Sequence, residues 1–276
     1  MLNNMKKKDV FVSIIKGIIT GIASLVPGVS TAAVLLSVSS YDNFTESLHN
    51  IAKKDNKVVL FVTVPLVIGL LLGLIGGVHL IDYFWNKFRI QTILLFVGLV
   101  LGGIRVIFVK EKLKFSKKIM FLFIVIGSLF GILYYLLKDM TIIDKVDSMT
   151  NLIFLGLITG LTILVPGLSL ITLKLKENYN YIIELIRHFT NISNIVSILV
   201  FIIMFVITIF IVSKTIYKLI SRNRRVTYIV LCSLMFASII ISLFQINKVT
   251  FNFVTIFTSI LAFLWGFIFA KNVERE

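Results

Sequence analysis

Val26-Pro27-Gly28-Val29-Ser30 and, 139 residues later, Val165-Pro166-Gly167-Leu168-Ser169 decide how this chain folds. Each pentapeptide interrupts an apolar segment near its middle, and together they hold two of the chain's three prolines. Proline has no amide hydrogen and cannot continue a helix cleanly, while the glycine after it permits backbone angles other residues avoid. The serine that closes each pentapeptide is a good N-cap for a new helix. Each segment is therefore expected to be two half-helices meeting at a break. The second half-helix would then start inside the membrane, an arrangement transporters use to hold anions.

Outward from these stretches, the chain is apolar. Of its 276 residues, 58% are hydrophobic and only 15% charged, with a mean hydropathy of +1.02. No soluble domain of this size exposes so little polar surface, so the composition specifies a polytopic membrane protein. The net charge of +15 does not point to nucleic acid, because the basic residues cluster in short loops between apolar runs, which is the positive-inside pattern. One cysteine, Cys232, excludes a disulfide framework or a cysteine metal site. The basic start, Met1 to Lys8, resembles a signal peptide, but the apolar stretch behind it is long and lacks a convincing small-residue cleavage site, so we expect it to be retained.

Apolar runs fall at residues 10–38, 58–83, 90–109, 119–137, 151–175, 195–212, 226–244 and 251–270. Six are nearly unbroken and have roughly the 20 residues needed to cross a core about 30 Å thick. The run 58–83 is longer and carries Pro65, so a tilt or kink is expected there. The first and fifth runs contain the breaks. Aligned at the 139-residue offset, residues 16–30 and 155–169 are identical at nine of fifteen positions, and His49 aligns with His188. The shared Gly-x-Ile-Thr-Gly and Leu-Val-Pro-Gly-x-Ser are too specific for chance between apolar segments. The chain thus divides into units 1–138 and 139–276, each a broken segment followed by three spans.

Charge decides whether the broken segments cross. Residues 110–118 hold five lysines and one glutamate, and residues 214–225 hold five basic residues and no acid. Both loops, and Lys6 to Lys8, should be cytoplasmic. One span, the second broken segment and another span separate the first two loops, so both stay inside only if the broken segment adds no crossing. The same count applies to the first. The expected fold is an all-α integral membrane protein, an inverted repeat in which each unit is a re-entrant helical hairpin plus three transmembrane helices. The first hairpin enters from the cytoplasm and the second from outside. Both termini are cytoplasmic, the acidic connection 138–150 is outside, and the hairpin tips meet near the midplane. The competing reading is that Pro-Gly kinks two spanning helices.

A half-helix N-terminus offers free amides and about half a positive charge to a phosphate or carboxylate. Two of them, starting near Ser30 and Ser169, would form one anion site. Thr20, Ser24 and Thr159, in the turns before the breaks, are candidate hydroxyl donors. Charges inside apolar segments are costly and usually functional, and those here are basic: Lys16, Arg105, Lys174 and Lys176. Lys174, five residues after Ser169, is the best phosphate candidate among the lysines; Lys16, Arg105 and Lys176 equally suit snorkelling to an interface. His49 and His188 either relay protons or sit at the surface. Paired carboxylates, His-x-x-x-His, Gly-x-Ser-x-Gly and Cys-x-x-Cys do not occur, so neither an enzyme nor a cofactor or metal is expected. The pairs Gly69/Gly73, Gly73/Gly77, Gly98/Gly102 and Gly127/Gly131 read as helix-packing faces.

Residues 21–30, Gly-Ile-Ala-Ser-Leu-Val-Pro-Gly-Val-Ser, followed by Tyr41-Asp42, resemble the first motif of the bacterial polyprenyl-phosphate translocases, and residues 164–169 resemble the second. The resemblance implies transport of undecaprenyl phosphate from the outer to the inner leaflet of the bacterial cytoplasmic membrane, for reuse in cell-wall synthesis. It places Pro27, Gly28, Ser30, Pro166, Gly167 and Ser169 at the lipid-phosphate site. This chain departs from the pattern at Ser30-Thr31-Ala32-Ala33, where the family has Ser-Gly-Gly-Thr, at Leu170 after Ser169, and at Ser39. These replacements make the tips less permissive. The partners expected are undecaprenyl phosphate and membrane lipids, with no nucleic acid. The alternatives are transport of a small anion through the same site, or a non-transporting membrane assembly protein.

Overall fold

The computed structural model describes residues 7–26, 29–38, 41–50, 59–114, 116–137, 149–168, 192–244, 246 and 252–273. The regular elements among them are helical: α1 (Lys7–Ser24), α2 (Thr31–Ser37), α3 (Tyr41–Asn50), a π-helical turn (Val59–Thr63), α4 (Val64–Lys87), α5 (Arg89–Lys110), α6 (Lys117–Leu137), α7 (Met149–Leu164), α8 (Ile192–Arg222), α9 (Arg224–Leu243) and α10 (Phe253–Val273). Among the described residues four helices are long and apolar enough to cross a membrane, namely α5, α8, α9 and Phe253–Asn272 of α10, and α4 adds a fifth if its two bent halves count as one span. The protein is a membrane protein. Its α8, with 31 residues, is about 46 Å long, so it runs past the hydrocarbon into the basic stretch at 214–222.

The kink in the second apolar run is present but does not fall at Pro65. The helix bends by 54° between Phe61–Gly77 and His79–Lys87, directly after the Gly76-Gly77 pair, a sequence that permits sharp kinks. Pro65 sits where the π-helical turn Val59–Thr63 passes into α4, and this change of helix type accommodates its missing amide hydrogen.

Small residues set the packing, as they must where lipid offers no hydrophobic contrast. A Cβ on Gly17 or Gly21 of α1 would overlap the carbonyl oxygens of Leu66 and Leu70, and one on Gly69 or Gly73 of α4 would overlap those of Ile14 and Ile18. Residue numbers rise together along this interface, so α1 and α4 are parallel, and the chain between them returns to the end at which α1 begins. The second half repeats the arrangement. Gly156 of α7 meets Phe201 and Met204 of α8, and Gly160 meets Phe205 and Thr208, again a parallel pair. Gly98 and Gly102 of α5 lie on Phe263 and Phe267 of α10, and Gly127 and Gly131 of α6 lie on Ile240 of α9 and on Phe244, which caps it. The glycine pairs singled out in the sequence are packing faces.

The mostly buried α5 and α9 form the centre. They run antiparallel: Glu111 at the end of α5 pairs with Arg224 at the start of α9, while Val97 and Val100 lie beside Ser238 and Ser242. The core gathers Ala32, Leu35 and Leu36 of α2 with Tyr41 of α3, Ile93, Val97 and Val100 of α5, Leu164 at the end of α7, and Leu231 and Met235 of α9.

Candidate functional site

The first break starts as α1 ends at Ser24. The amides of Leu25, Val26 and Val29 donate to the carbonyls three residues back, at 3.2, 3.1 and 3.1 Å, which tightens the chain as it leaves the helix. Ser30 has extended backbone (φ −84°, ψ 122°), and its Oγ accepts from the Ala33 amide at 3.4 Å, capping α2. The N-cap read from the sequence is therefore formed. Residues 32–37 of α2 are all buried.

Tyr41 follows this short helix and is 1% exposed. Its hydroxyl donates to the Leu164 carbonyl at 2.5 Å. Leu164 is the last residue of α7, where carbonyls have run out of intrahelical donors, so the first motif's tyrosine supplies one to the edge of the second break. Burial, and after it the charge of Asp42, push the Tyr41 phenol above its ordinary value, which keeps it a donor.

At the second break, Pro166 and Gly167 are buried. Gly167 has φ +86°, a left-handed conformation that favours glycine, and a Cβ there would stand 3.0 Å from the Leu234 carbonyl oxygen. Its amide donates to Ser238 Oγ at 2.9 Å. Ser238 also lines a narrow crevice with Ser30, Ser242 and Phe96, a space of about 10 Å³ that holds about one water. The second break thus bonds a serine of α9 that lines one crevice with Ser30 of the first. The polar groups around them are the hydroxyls of Ser30, Ser238 and Ser242 and the Gly167 amide. Three of these protons are spent within the protein, since Ser238 donates to the Leu234 carbonyl at 3.2 Å, Ser242 to the Ser238 carbonyl at 2.8 Å and Gly167 to Ser238, so a ligand here would have to replace bonds within α9. Nothing in the run 226–244 marked Ser238 or Ser242 beforehand.

A second polar group lies where α5 ends and α9 begins. Arg224 donates to both carboxylate oxygens of Glu111, at 2.7 and 2.8 Å, and to Asp42 at 3.1 Å. Tyr228 donates to Asp42, and Lys110 Nζ lies 4.0 Å from the same carboxylate. The Glu111 side chain is 9% exposed, so the forked Arg224 pair largely shields it. Ser213 of α8 closes the corner by donating to the Thr45 carbonyl at 2.9 Å. The sequence pointed to Tyr41-Asp42 and to the two basic loops, but not to their meeting. The available signal was Glu111, the single acid in a loop of five lysines.

The other candidates stand apart from the cleft's polar groups. Thr20 is buried and donates to the Lys16 carbonyl at 2.8 Å, Ser24 to Gly21 at 2.7 Å, and Thr159 to Leu155 at 2.6 Å. Each proton is spent on its own helix. Lys16 is half-buried on α1. Arg105 is exposed, with its guanidinium 5.7 Å from the ring centre of Phe267 on α10. Pro27, Gly28, Ser169, Lys174, Lys176 and His188, and the side chain of His49, lie outside the described residues.

Residues 1–120 match the family model described as VCA0040-like: Undecaprenyl phosphate translocase-like. The match agrees with the family that the first motif resembles. It runs from α1 through the loop after α5 and so contains the first break, Tyr41, Asp42, Lys110 and Glu111. No curated protein and no solved structure matches the chain.

Proposed function

We propose that this protein carries undecaprenyl phosphate from the outer to the inner leaflet of the bacterial cytoplasmic membrane, returning the lipid carrier for cell-wall synthesis. The phosphate passes between the two Pro-Gly breaks. The observation that carries this reading is that both breaks reach the crevice at Ser238, joined to the translocase-like match over residues 1–120, which contain the first break. On this reading the protein is a transporter rather than an enzyme, and the Ser238 and Ser242 hydroxyls exchange their bonds within α9 for bonds to the passing anion.

The geometry supports an inverted repeat of units 1–138 and 139–276. Parallel α1/α4 and α7/α8 pairs require the chain to turn back after each break, as re-entrant hairpins do. Antiparallel α5 and α9, equivalent under the 139-residue offset, are what two oppositely oriented units need. The Glu111–Arg224 pair holds the two basic loops at one end of the bundle, which we assign to the cytoplasm together with both termini.

Depletion tests the function. In cells lacking other carriers of this lipid, loss of the protein should expose undecaprenyl phosphate on the outer face, measured with an impermeant phosphate-binding reagent. No accumulation would sink the lipid reading and leave a small anion as the cargo.

A further inference from the structure

The glycine-knit pairs α1/α4 and α5/α10 meet through Ala23, Ile81, Phe96, Leu99 and Ala270, and on the outer side of this contact an apolar groove runs along the seam. One stretch of about 420 Å³ passes Phe88 and Ala262. A second of about 230 Å³ passes Leu99 and Trp265. Both include Ile22, Leu95 and Phe96. The polar side chains on the seam are engaged elsewhere: the Gln91 amide donates to Thr258 at 3.0 Å and the Thr92 hydroxyl to the Phe88 carbonyl at 2.9 Å. The groove therefore offers hydrocarbon alone.

Phe96 also lines the cleft of Ser30, Ser238 and Ser242. The same ring thus borders an apolar groove and a narrow crevice of three serines, whose Ser238 and Ser242 hydroxyls would turn from their α9 carbonyls to a ligand; the pairing is complementary to an amphiphile with a hydrocarbon chain on one side and a hydrogen-bonding end on the other. From Phe88 to Leu99 the groove follows about 16 Å of α5, roughly half the hydrocarbon thickness and so one leaflet's depth. Backbone contact within each helix pair keeps the pairs as units, and the seam between them is where a side opening forms.

We propose that this groove seats the isoprenoid chain of a lipid phosphate, and that Phe96 is the partition past which the phosphate enters the serine cleft. The inference rests on the lipid-phosphate transport proposed above.

The test uses the full-length protein in bilayer discs of phosphatidylethanolamine and phosphatidylglycerol. One probe is undecaprenyl phosphate with a diazirine in an isoprene unit near the phosphate; the other is phosphatidylglycerol with a diazirine on an acyl chain. On irradiation, the lipid-phosphate probe should label peptides 88–99 and 262–269 about tenfold more than the phosphatidylglycerol probe, and unlabelled undecaprenyl phosphate should compete it away. Ala262→Trp, which fills the groove from α10, should lower that labelling by a similar factor. Leu80→Trp, from the exposed face of α4, serves if the first variant fails to fold, and the wild-type labelling pattern depends on neither. Equal labelling by both probes, or competable labelling confined to other helices, overturns the proposal. Vesicles of the same protein separate the two levels of failure. Translocation of undecaprenyl phosphate without groove labelling refutes the groove alone, and neither translocation nor competable labelling refutes the transport reading itself.

Discussion

Replacing Tyr41 with phenylalanine removes one oxygen from the structure and leaves the ring in place. The side chain is 1% exposed and Leu164, whose carbonyl it serves, is 0% exposed, so no water replaces the lost donor. A buried acceptor left unpaired costs about 1–3 kcal/mol. Interhelical hydrogen bonds in membrane bundles fall at about 0.6–1.7 kcal/mol, and without a cavity contribution we expect Tyr41→Phe to destabilise the protein by about 1–2 kcal/mol. Unfolding by sodium dodecyl sulfate in mixed micelles measures it. Tyr83→Phe, on a half-exposed position of α4, is the control and should stay within about 0.5 kcal/mol of wild type. The raised phenol pKa favours the protonated form in the folded state. The contribution of Tyr41 is therefore constant below about pH 10, the unfolded value, and is lost above it. Equal stability of Tyr41→Phe and wild type would refute the reasoning, because it would mean that the first motif does not hold the end of α7.

Other substitutions follow from the same contacts. Gly167→Ala places a Cβ in left-handed backbone 3.0 Å from the Leu234 carbonyl oxygen and should cost about 1–2 kcal/mol, whereas Gly76→Ala meets open space and should not destabilise; the same micellar titration compares them. Gly69→Val should separate α1 from α4 and abolish monodisperse elution on size exclusion. A double-mutant cycle on Arg224→Ala and Glu111→Ala should give a coupling of about 0.5–1 kcal/mol, small because Arg224 is half-exposed and reduced further by salt. In a Cys232→Ala background, single cysteines at Lys112 and Asn223 should react with an impermeant maleimide from the same face of the membrane; labelling from opposite faces would contradict the shared end of α5 and α9.

The parts of the fold visible in the sequence are those fixed by local chemistry. Proline, glycine and serine in Val-Pro-Gly-x-Ser announce a chain break and a cap wherever they occur, and Ser30 and Gly167 adopt the conformations those residue types favour. The glycine spacings gave the packing faces, because only close backbone approach explains small residues at four-residue intervals in an apolar helix. What depended on distant partners was hidden. Ser238 and Ser242 are ordinary serines until the fold brings Ser30 and Gly167 to them. Arg224 counted as one more positive charge in a loop, although its partners Glu111 and Asp42 lie 113 and 182 residues away. The kink expected in the run 58–83 is present, but its place follows Gly76-Gly77, while Pro65 sits at the junction of the π-helical turn and α4.

Reconstituted transport tests the central claim most directly. Vesicles bearing the purified protein should move undecaprenyl phosphate between leaflets faster than protein-free vesicles, and Ser30→Leu combined with Ser169→Leu should return the rate to the protein-free value while the variant keeps its elution profile. Movement at the wild-type rate by the double variant would contradict a phosphate path between the two breaks.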